Sequence, residues 1–204
     1  MITSYLTIKE SGEGLFKDKG SKFIGRTFHV ESAEEIKAAL ESLRKEFYDA
    51  RHHCYAYVLG ADKSQFRAND DGEPNHSAGD PILGQIHSKD LTDTLVVVVR
   101  YFGGTKLGVS GLINAYKLAA EEALTNSIIE KVVVKESFTL NYPYDSTNEL
   151  MRLVSDLEIQ IVDQKFETDC TLIGKVKIDK VEELKSKVEL LKNTGTEVVL
   201  YLSK

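Results

Sequence analysis

The stretch LVVVVRYFGGTKLGVSG, residues 95–111, decides the first half of the fold because it joins an apolar run to a loop with four glycines. The apolar run predicts a buried strand over residues 95–102. From about residue 106 onward, apolar side chains recur at helical spacing and predict a helix. The residues expected on its inward face are Leu112, Tyr116, Ala119, Ala120 and Ala123.

The glycines of this loop, Gly103, Gly104, Gly108 and Gly111, have two interpretations. Each glycine is unfavourable by about 0.5–1 kcal/mol relative to alanine, so a cluster indicates positive φ or close backbone approach. A glycine loop that opens into a helix presents backbone amides to an anion. The alternative is a tight strand-to-helix turn with a closely packed helix start. Because neither GxGxxG nor GxxxxGK[ST] is matched, both interpretations stay open.

The second half of the chain alternates strand and helix patterns. Period-two apolar residues predict strands near 138–142, 159–161, 170–178 and 198–202, with a turn around 167–169. Helical stripes lie between them, one after the capping pair Ser146 and Glu149 and one after Asp179 and Glu182. The order βαββαβ predicts a ferredoxin-like fold, in which a four-stranded antiparallel sheet carries both helices on one face.

The first half is less regular and mixes the same elements. A helix is predicted over 32–47 with Ser32 as its N-cap, and a short one from Pro81 with Asp80 as its N-cap. Strands are predicted over 4–9, 14–17, 23–30, 54–59, 65–68, 95–102 and 129–135. We therefore expect an α+β protein of two domains, residues 1–136 and residues 137–204.

Composition limits the kinds of partner. The 204 residues carry a net charge of −6, which argues against a surface that is basic all over and coats nucleic acid, although a local basic patch is allowed. The two cysteines, Cys54 and Cys170, form no CxxC pair, so a reducing cytoplasm is expected. No apolar run reaches the ~18 residues of a membrane span, so no membrane partner is expected. The oligomeric state is left open.

The segment NDDGEPNH, residues 69–76, concentrates carboxylates. Asp70, Asp71 and Glu73 have the oxygen ligands that magnesium prefers. The spacing matches no EF-hand loop, and Asp71 with Gly72 suits a turn with positive φ. The turn is the favoured interpretation, and no metal site is assigned.

The segment RHHCYAY, residues 51–57, carries two adjacent histidines. In a strand, alternate side chains point to opposite faces, which separates His52 and Cys54 from Arg51 and His53. A zinc site from His52, Cys54 and His76 has no spacing support, and Cys54 is expected to be a half-buried structural thiol. The side chains expected on the second face are Arg51, His53, Tyr55 and Tyr57.

The segment LFKDKGSKFIGR, residues 15–26, is locally basic and contains two phenylalanines. Interleaved basic and aromatic side chains can follow a phosphate backbone and stack on bases. A hairpin with a solvated lysine face is the alternative. The basic residues of this patch are Lys17, Lys19, Lys22 and Arg26.

Four separated motifs resemble those of the YigZ/IMPACT family. They are SKFIG at 21–25, ARHHCYAYVLG at 50–60, NDDGEP at 69–74 followed by AGDPIL at 78–83, and VVVVRYFGGTKLG at 96–108 followed by GL and AY. The resemblance covers about residues 15–125, and the tail resembles the extra domain of bacterial members. Two positions depart from the family pattern: Ser110 replaces a glycine, and Asn75 and His76 follow the DDGEP run.

The resemblance implies a first domain like domain 2 of ribosomal protein S5 and a second like the last domain of elongation factor G. It also implies a link to translation, since eukaryotic relatives restrain the amino-acid-starvation kinase pathway by binding its activator. Bacterial relatives are suspected of binding nucleic acid or the ribosome. The family implies no catalytic activity and no cofactor.

The leading hypothesis is a cytoplasmic regulator that binds RNA, the ribosome or a translation-associated protein through its motif face. No catalytic set stands out, and no cofactor is expected. The alternative is a phosphate- or nucleotide-dependent enzyme that uses the Gly103–Gly108 loop with Asp70, Asp71 or Glu73. The candidate binding residues are Arg51, His52, His53, Asp70, Asp71, Glu73, Arg100, Gly103, Gly104, Lys106 and Gly108.

Overall fold

The computed structural model describes residues 1–167 and 169–202. The chain folds into two compact units, one of Ser4–Val132 and one of Met1–Thr3 with the residues from Val133 onward. The protein is therefore a mixed α/β chain with two units. The domain limits 1–136 and 137–204 stay a prediction. Within the described part of the chain, no helix combines the length and hydropathy that a bilayer crossing requires.

The larger unit contains every strand predicted for it, with ends shifted by up to two residues. Its strands are β1 (Ser4–Glu10), β2 (Glu13–Asp18), β3 (Ser21–His29), β4 (His52–Leu59), β5 (Gln65–Asn69), β6 (Thr94–Tyr101) and β7 (Ile128–Val133). Its helices are α1 (Ala33–Glu46), α2 (Gly79–Ser88) and α3 (Gly108–Thr125).

Five of these strands form one sheet in the order β2-β3-β6-β4-β5, and each neighbouring pair is antiparallel. The central strand β6 has the apolar run of four valines that marked it in the sequence, and every residue from Thr94 to Arg100 is buried. Strands β1 and β7 form a separate two-stranded sheet.

Both faces of the five-stranded sheet are covered. Val96 and Val98 belong to a core with residues of α2 and α3, whereas Leu95, Val97 and Val99 belong to a core with residues of α1. Because both faces of β6 are buried, its sequence is continuously apolar rather than alternating.

The observed first residues of the three helices in this unit agree only in part with the predicted starts and caps. The Ser32 cap is confirmed, since its Oγ accepts a hydrogen bond from the Glu35 amide at 3.2 Å. Helix α2 begins at Gly79, so the predicted start at Pro81 with Asp80 as N-cap is wrong. Helix α3 begins at Gly108, two residues later than predicted.

The second unit follows the predicted order βαββαβ. Its elements are β8 (Lys135–Pro143), α4 (Thr147–Asp156), β9 (Gln160–Lys165), β10 (Asp169–Lys177), α5 (Val181–Asn193) and β11 (Val199–Leu202). The sheet order is β11-β8-β10-β9 with all pairs antiparallel. Side chains from one face of this sheet and from both helices share one core. The predicted turn at 167–169 includes Thr168, which lies outside the described residues.

The two capping pairs predicted for this unit are wrong. Ser146 and Lys180 occupy the N-cap positions of α4 and α5, and neither side chain makes a capping hydrogen bond. Short 3₁₀ turns, Tyr144–Ser146 and Ile178–Lys180, lead into the helices instead. The local pattern identified the helices but not the geometry of their first turns.

Candidate functional site

The motifs from distant parts of the larger unit meet at one end of the five-stranded sheet. Lys22, at the start of β3, pairs with Tyr101 at the end of β6, and Arg100 pairs with His52 at the start of β4. Tyr55 of β4 pairs with Asn69 at the end of β5. Antiparallel pairing therefore places the β2–β3 turn, the loop after β6, the start of β4 and the turn after β5 at the same end. We call this region the motif end.

A groove of about 480 Å³ opens at the motif end. Arg51, His52 and Arg100 line it together with Phe102, whose ring is exposed. The lining residues Tyr101 and Asp49 are joined by a hydrogen bond from the tyrosine hydroxyl to Oδ1 at 2.7 Å, which raises the pKa of Tyr101 to about 12. The groove thus combines guanidinium groups, an imidazole and aromatic rings.

Arg100 and Glu73 form a buried ion pair, with Nη1 donating to Oε1 at 2.5 Å. Their side chains are only 7% and 5% exposed, so these two candidate binding residues are buried. The guanidinium lies between two aromatic rings, with Cζ 5.4 Å from the Phe23 centroid and 5.5 Å from the Phe102 centroid. Its Nε is buried without a hydrogen-bond partner among the described residues. Arg100 therefore holds the turn after β5 against the end of β6.

Tyr116 and Cys54 extend this buried network. The Tyr116 hydroxyl donates to Glu73 Oε1 at 2.8 Å, and Cys54 Sγ lies 3.3 Å from the same hydroxyl oxygen and 3.0 Å from the Asp70 carbonyl oxygen. Burial raises the pKa of both the Cys54 thiol and the Tyr116 hydroxyl. Since a thiolate is the reactive form of cysteine, this raised pKa disfavours reactivity, and Cys54 is fully rather than half buried.

The Asp70 side chain accepts hydrogen bonds from the start of α2, whose N-cap position is occupied by Ala78. Its Oδ1 accepts the amides of Ala78 and Gly79 at 2.9 and 2.8 Å, and Oδ2 accepts the amide of His76 at 2.8 Å. Partial burial raises the pKa of Asp70, but the three amide donors outweigh it and lower the pKa below its usual value. The Asp70 carboxylate thus takes the role predicted for Asp80. Both of its oxygens accept backbone amides of the same chain.

Asp71 and Gly72 form the predicted turn, with φ of 40° and 87°. Asp71 Oδ2 accepts the backbone amide of His53 at 2.7 Å, and Oδ1 lies 3.5 Å from Arg44. The Asp71 carbonyl oxygen lies 2.9 Å from His52 Nδ1. The turn after β5 is thereby fixed to the start of β4.

The two adjacent histidines diverge as predicted. His52 lines the groove, whereas His53 is only 5% exposed and belongs to the opposite face of the sheet. Burial lowers the pKa of His53, and its Nε2 has no partner among the described residues. His53, one of the candidate binding residues, is therefore buried.

The glycines of the loop after β6 serve different needs. A Cβ at Gly103 would lie 1.9 Å from the backbone of Gly20 in the β2–β3 turn, so this position requires close backbone approach. Gly104 and Gly108 have φ of 87° and 75° with open space beside them. Helix α3 starts at Gly108 without a side-chain cap, so its first amides are free of side-chain acceptors among the described residues.

Lysines surround this loop. Lys17 and Lys22 are paired on neighbouring strands, Lys19 lies in the turn between them with φ of 45°, and Lys106 lies in the loop after β6. These four side chains and Arg51 are exposed and form no ion pair with any residue described. Arg26 is different, because it contacts Glu13 at 2.8 Å and Glu46 at 3.5 Å farther along β3. Arg26 therefore does not belong to the free basic patch.

The structure thus divides the predicted residues. At the motif end it brings together Arg51, His52, Arg100, Gly103, Gly104, Lys106, Gly108, Lys17, Lys19 and Lys22. Asp70, Asp71 and Glu73 hold the surrounding backbone and side chains in place. Sequence reasoning missed Tyr116 as a partner of Glu73 and Phe102 as a groove residue, although Tyr116 lies within the AY pair of the fourth motif. The binding role of all these residues stays a prediction.

These features define a two-unit α/β protein with a basic, glycine-rich end on its larger sheet. The Impact N-terminal domain matches residues 19–124, which include every segment of the motif end except Lys17. The chain belongs to the IMPACT family, as the motifs predicted.

Similar proteins extend the match. The IMPACT family member YvyE of Bacillus subtilis is 39% identical over 66% of this chain and 63% of its own length. The family member YigZ of Escherichia coli is 34% identical over 83% of this chain and 84% of its own. A crystal structure of a protein described only as hypothetical covers 100% of this chain and 99% of its own, with 30% identity and a TM-score of 0.74.

Proposed function

We propose that this protein is a cytoplasmic, translation-associated regulator that binds RNA, on the ribosome or near it, through the motif end of the larger unit. The family membership supports the association with translation. The observation that carries the proposal is the division of charge at the motif end. Lys17, Lys19, Lys22, Arg51 and Lys106 are exposed without ion pairs among the described residues, whereas Asp70, Asp71 and Glu73 are engaged by protein donors.

The exposed cations of the motif end can bind the phosphate groups of a nucleic acid. Exposed lysine and arginine side chains neutralise the phosphates of a nucleic acid and release its counterions. The exposed ring of Phe102 beside Arg100 adds a surface on which an unpaired base can stack. A protein partner that presents acidic side chains would use the same cations without needing the ring.

The enzymatic alternative has less support. It requires the carboxylates after β5 to hold magnesium or to act as a base. Asp70 accepts three backbone amides, Asp71 accepts the His53 amide, and Glu73 is paired with Arg100 and Tyr116. Recruiting any of them would break contacts that hold the fold.

We also propose the finer fold assignments. The βαββαβ order and the antiparallel sheet of the second unit support a ferredoxin-like domain over 137–204. The first domain, 1–136, is proposed to be like domain 2 of ribosomal protein S5, on the strength of the family resemblance.

The first experiment compares two triple variants. Lys22→Ala, Arg51→Ala and Lys106→Ala remove three cations from the motif end, and Lys9→Ala, Lys117→Ala and Lys131→Ala remove three exposed cations elsewhere on the larger unit. We expect the first triple variant to bind ribosomes and structured RNA at least about tenfold more weakly than the unmodified protein at about 0.1 M salt. The second should bind within about twofold. Co-sedimentation with ribosomes and filter binding of RNA measure both.

Two results would contradict the proposal. One is equal binding by the two triple variants. The other is capture of a translation protein from lysate that persists unchanged after nuclease treatment while purified RNA does not bind, which would identify a protein partner instead.

A further inference from the structure

A second groove lies on the face of the five-stranded sheet that packs against α1. It has a volume of about 320 Å³, and residues of α1, β4 and β5 line it. Tyr55 and Tyr57 of β4 line it, and Arg67 of β5 pairs directly with Tyr57 in the sheet. None of these residues belongs to the motif end. The remaining lining residues are Ala33, Ile36, Lys37, Leu40, Glu41 and Arg44.

The charge of this groove is opposite to that of the whole chain. The lining contains three cationic side chains, Lys37, Arg44 and Arg67, and one carboxylate, Glu41, whereas the whole protein has a net charge of −6. Arg44 lies 3.5 Å from Asp71, and Lys37 lies 4.0 Å from Glu41. Arg67 is exposed and has no ion-pair partner within the ranges that the structure covers. The lining therefore includes one exposed guanidinium without an ion-pair partner among the described residues.

The tyrosines provide the second half of the site. Both rings are half buried because they pack against the core on the α1 side, and their hydroxyls have no hydrogen-bond partner among the described residues. Two aromatic rings at alternate positions of one strand, next to an arginine, form a surface of the kind that stacks on bases in single-stranded nucleic acid. A guanidinium binds phosphate in a bidentate manner.

We propose that this groove binds one nucleotide, with the base against Tyr55 and Tyr57 and the phosphate on Arg67, the lining cation without an ion-pair partner among the described residues. The volume is at the lower end of the range of small-molecule pockets, about 300–1,000 Å³, and suits a single nucleotide rather than a longer ligand. The nucleotide is either free or one unit of a single-stranded RNA. This groove touches the motif end only through the contact of Arg44 with Asp71, and its existence does not depend on the function proposed for that region.

The test follows the ring resonances of Tyr55 and Tyr57 by NMR of protein labelled on tyrosine. The probes are adenosine monophosphate, adenosine, inorganic phosphate and a six-nucleotide oligoadenylate. We expect adenosine monophosphate to shift both sets of ring resonances and to bind at least tenfold more tightly than adenosine or phosphate alone. Tighter binding of the oligoadenylate, seen on the same resonances, would identify an RNA segment, and equal or weaker binding would identify a free nucleotide.

Two charge-reversal variants complete the test. Arg67→Glu should weaken binding of adenosine monophosphate at least tenfold, because it replaces the free guanidinium with a carboxylate. Lys117→Glu, an equal charge change at an exposed position of α3, which packs on the opposite face of the sheet from α1, should change binding less than twofold. Both positions are exposed, and unchanged thermal melting confirms that each variant is folded.

Three results would overturn the inference. They are tyrosine resonances that do not move at millimolar adenosine monophosphate, phosphate that binds as tightly as the nucleotide, and an Arg67→Glu variant that binds like the unmodified protein. Loss of ribosome binding in the motif-end triple variant would leave these tyrosine shifts intact, so the two proposals fail independently.

Discussion

At the scale of single residues, Glu73 connects three parts of the larger unit. It lies in the turn after β5 and accepts hydrogen bonds from Arg100 at the end of β6 and from Tyr116 in α3. A charge so deeply buried is unfavourable unless its partners satisfy it. The pair therefore specifies where the turn sits rather than adding much net stability.

Removing one partner of this pair should be strongly destabilising. We expect Glu73→Ala to lower the free energy of unfolding by about 3–5 kcal/mol, because it leaves the Arg100 guanidinium buried and unpaired. Urea denaturation followed by circular dichroism measures the change. Glu41→Ala, which removes an exposed carboxylate of α1, should change the free energy of unfolding by less than about 0.5 kcal/mol. A loss of under about 1 kcal/mol in Glu73→Ala would show that the Arg100–Glu73 pair is not held as described.

At the scale of elements, the motif end depends on a close approach between the β2–β3 turn and the loop after β6. Gly103 donates its amide to Ser21 Oγ at 3.1 Å, and the backbone of Gly20 occupies the space of a side chain at Gly103. The loop position is thus set by backbone packing. The glycines beyond it, Gly104 and Gly108, are set by their positive φ.

Alanine substitutions distinguish a glycine that is required by close backbone packing from a glycine that is not. Gly103→Ala should destabilise the protein by at least about 2 kcal/mol, because overpacking against rigid backbone forces the two segments apart. Gly84→Ala should instead stabilise it by about 0.5–1 kcal/mol, since Gly84 is an exposed residue inside α2 with open space beside it. Thermal melting of the two variants measures both signs. A Gly103→Ala variant as stable as the unmodified protein would mean that the turn and the loop do not pack as described.

At the scale of the whole molecule, the charge distribution matters more than the total. A chain with a net charge of −6 repels nucleic acid at long range, so binding must come from a local set of cations. The motif end supplies five such side chains without ion-pair partners among the residues described.

Because binding is proposed to come from five cations only, the affinity for RNA should depend on salt concentration to a limited extent. If all five cations contact phosphates of single-stranded RNA, the logarithm of the association constant should fall with the logarithm of salt concentration with a slope of about −3.5. The triple variant Lys22→Ala, Arg51→Ala and Lys106→Ala should reduce the magnitude of that slope by about 2. Filter binding at several salt concentrations gives both slopes. A slope near zero for the unmodified protein would exclude phosphate contacts as the basis of binding.

The helices, the strands and the resemblance to the family could be predicted from the residues alone. Period-two and helical spacing identified the strands and helices, because burial of one face or both faces leaves its pattern in the chain. The glycine-rich loop and the DDGEP turn were also recognisable, since positive φ restricts which residues can occupy a position.

Which polar side chains are free could be seen only once distant segments had been brought together in the fold. Asp70 accepts the first amide of a helix that begins nine residues later, Glu73 pairs with Arg100 27 residues away, and Arg26 is neutralised by Glu13 and Glu46. Asp70, Glu73 and Arg100 were predicted from the sequence to be binding residues, and Arg26 was predicted to belong to the basic patch. Their partners are fixed by sheet register and helix placement, which depend on contacts between distant segments and leave no local pattern in the residues themselves.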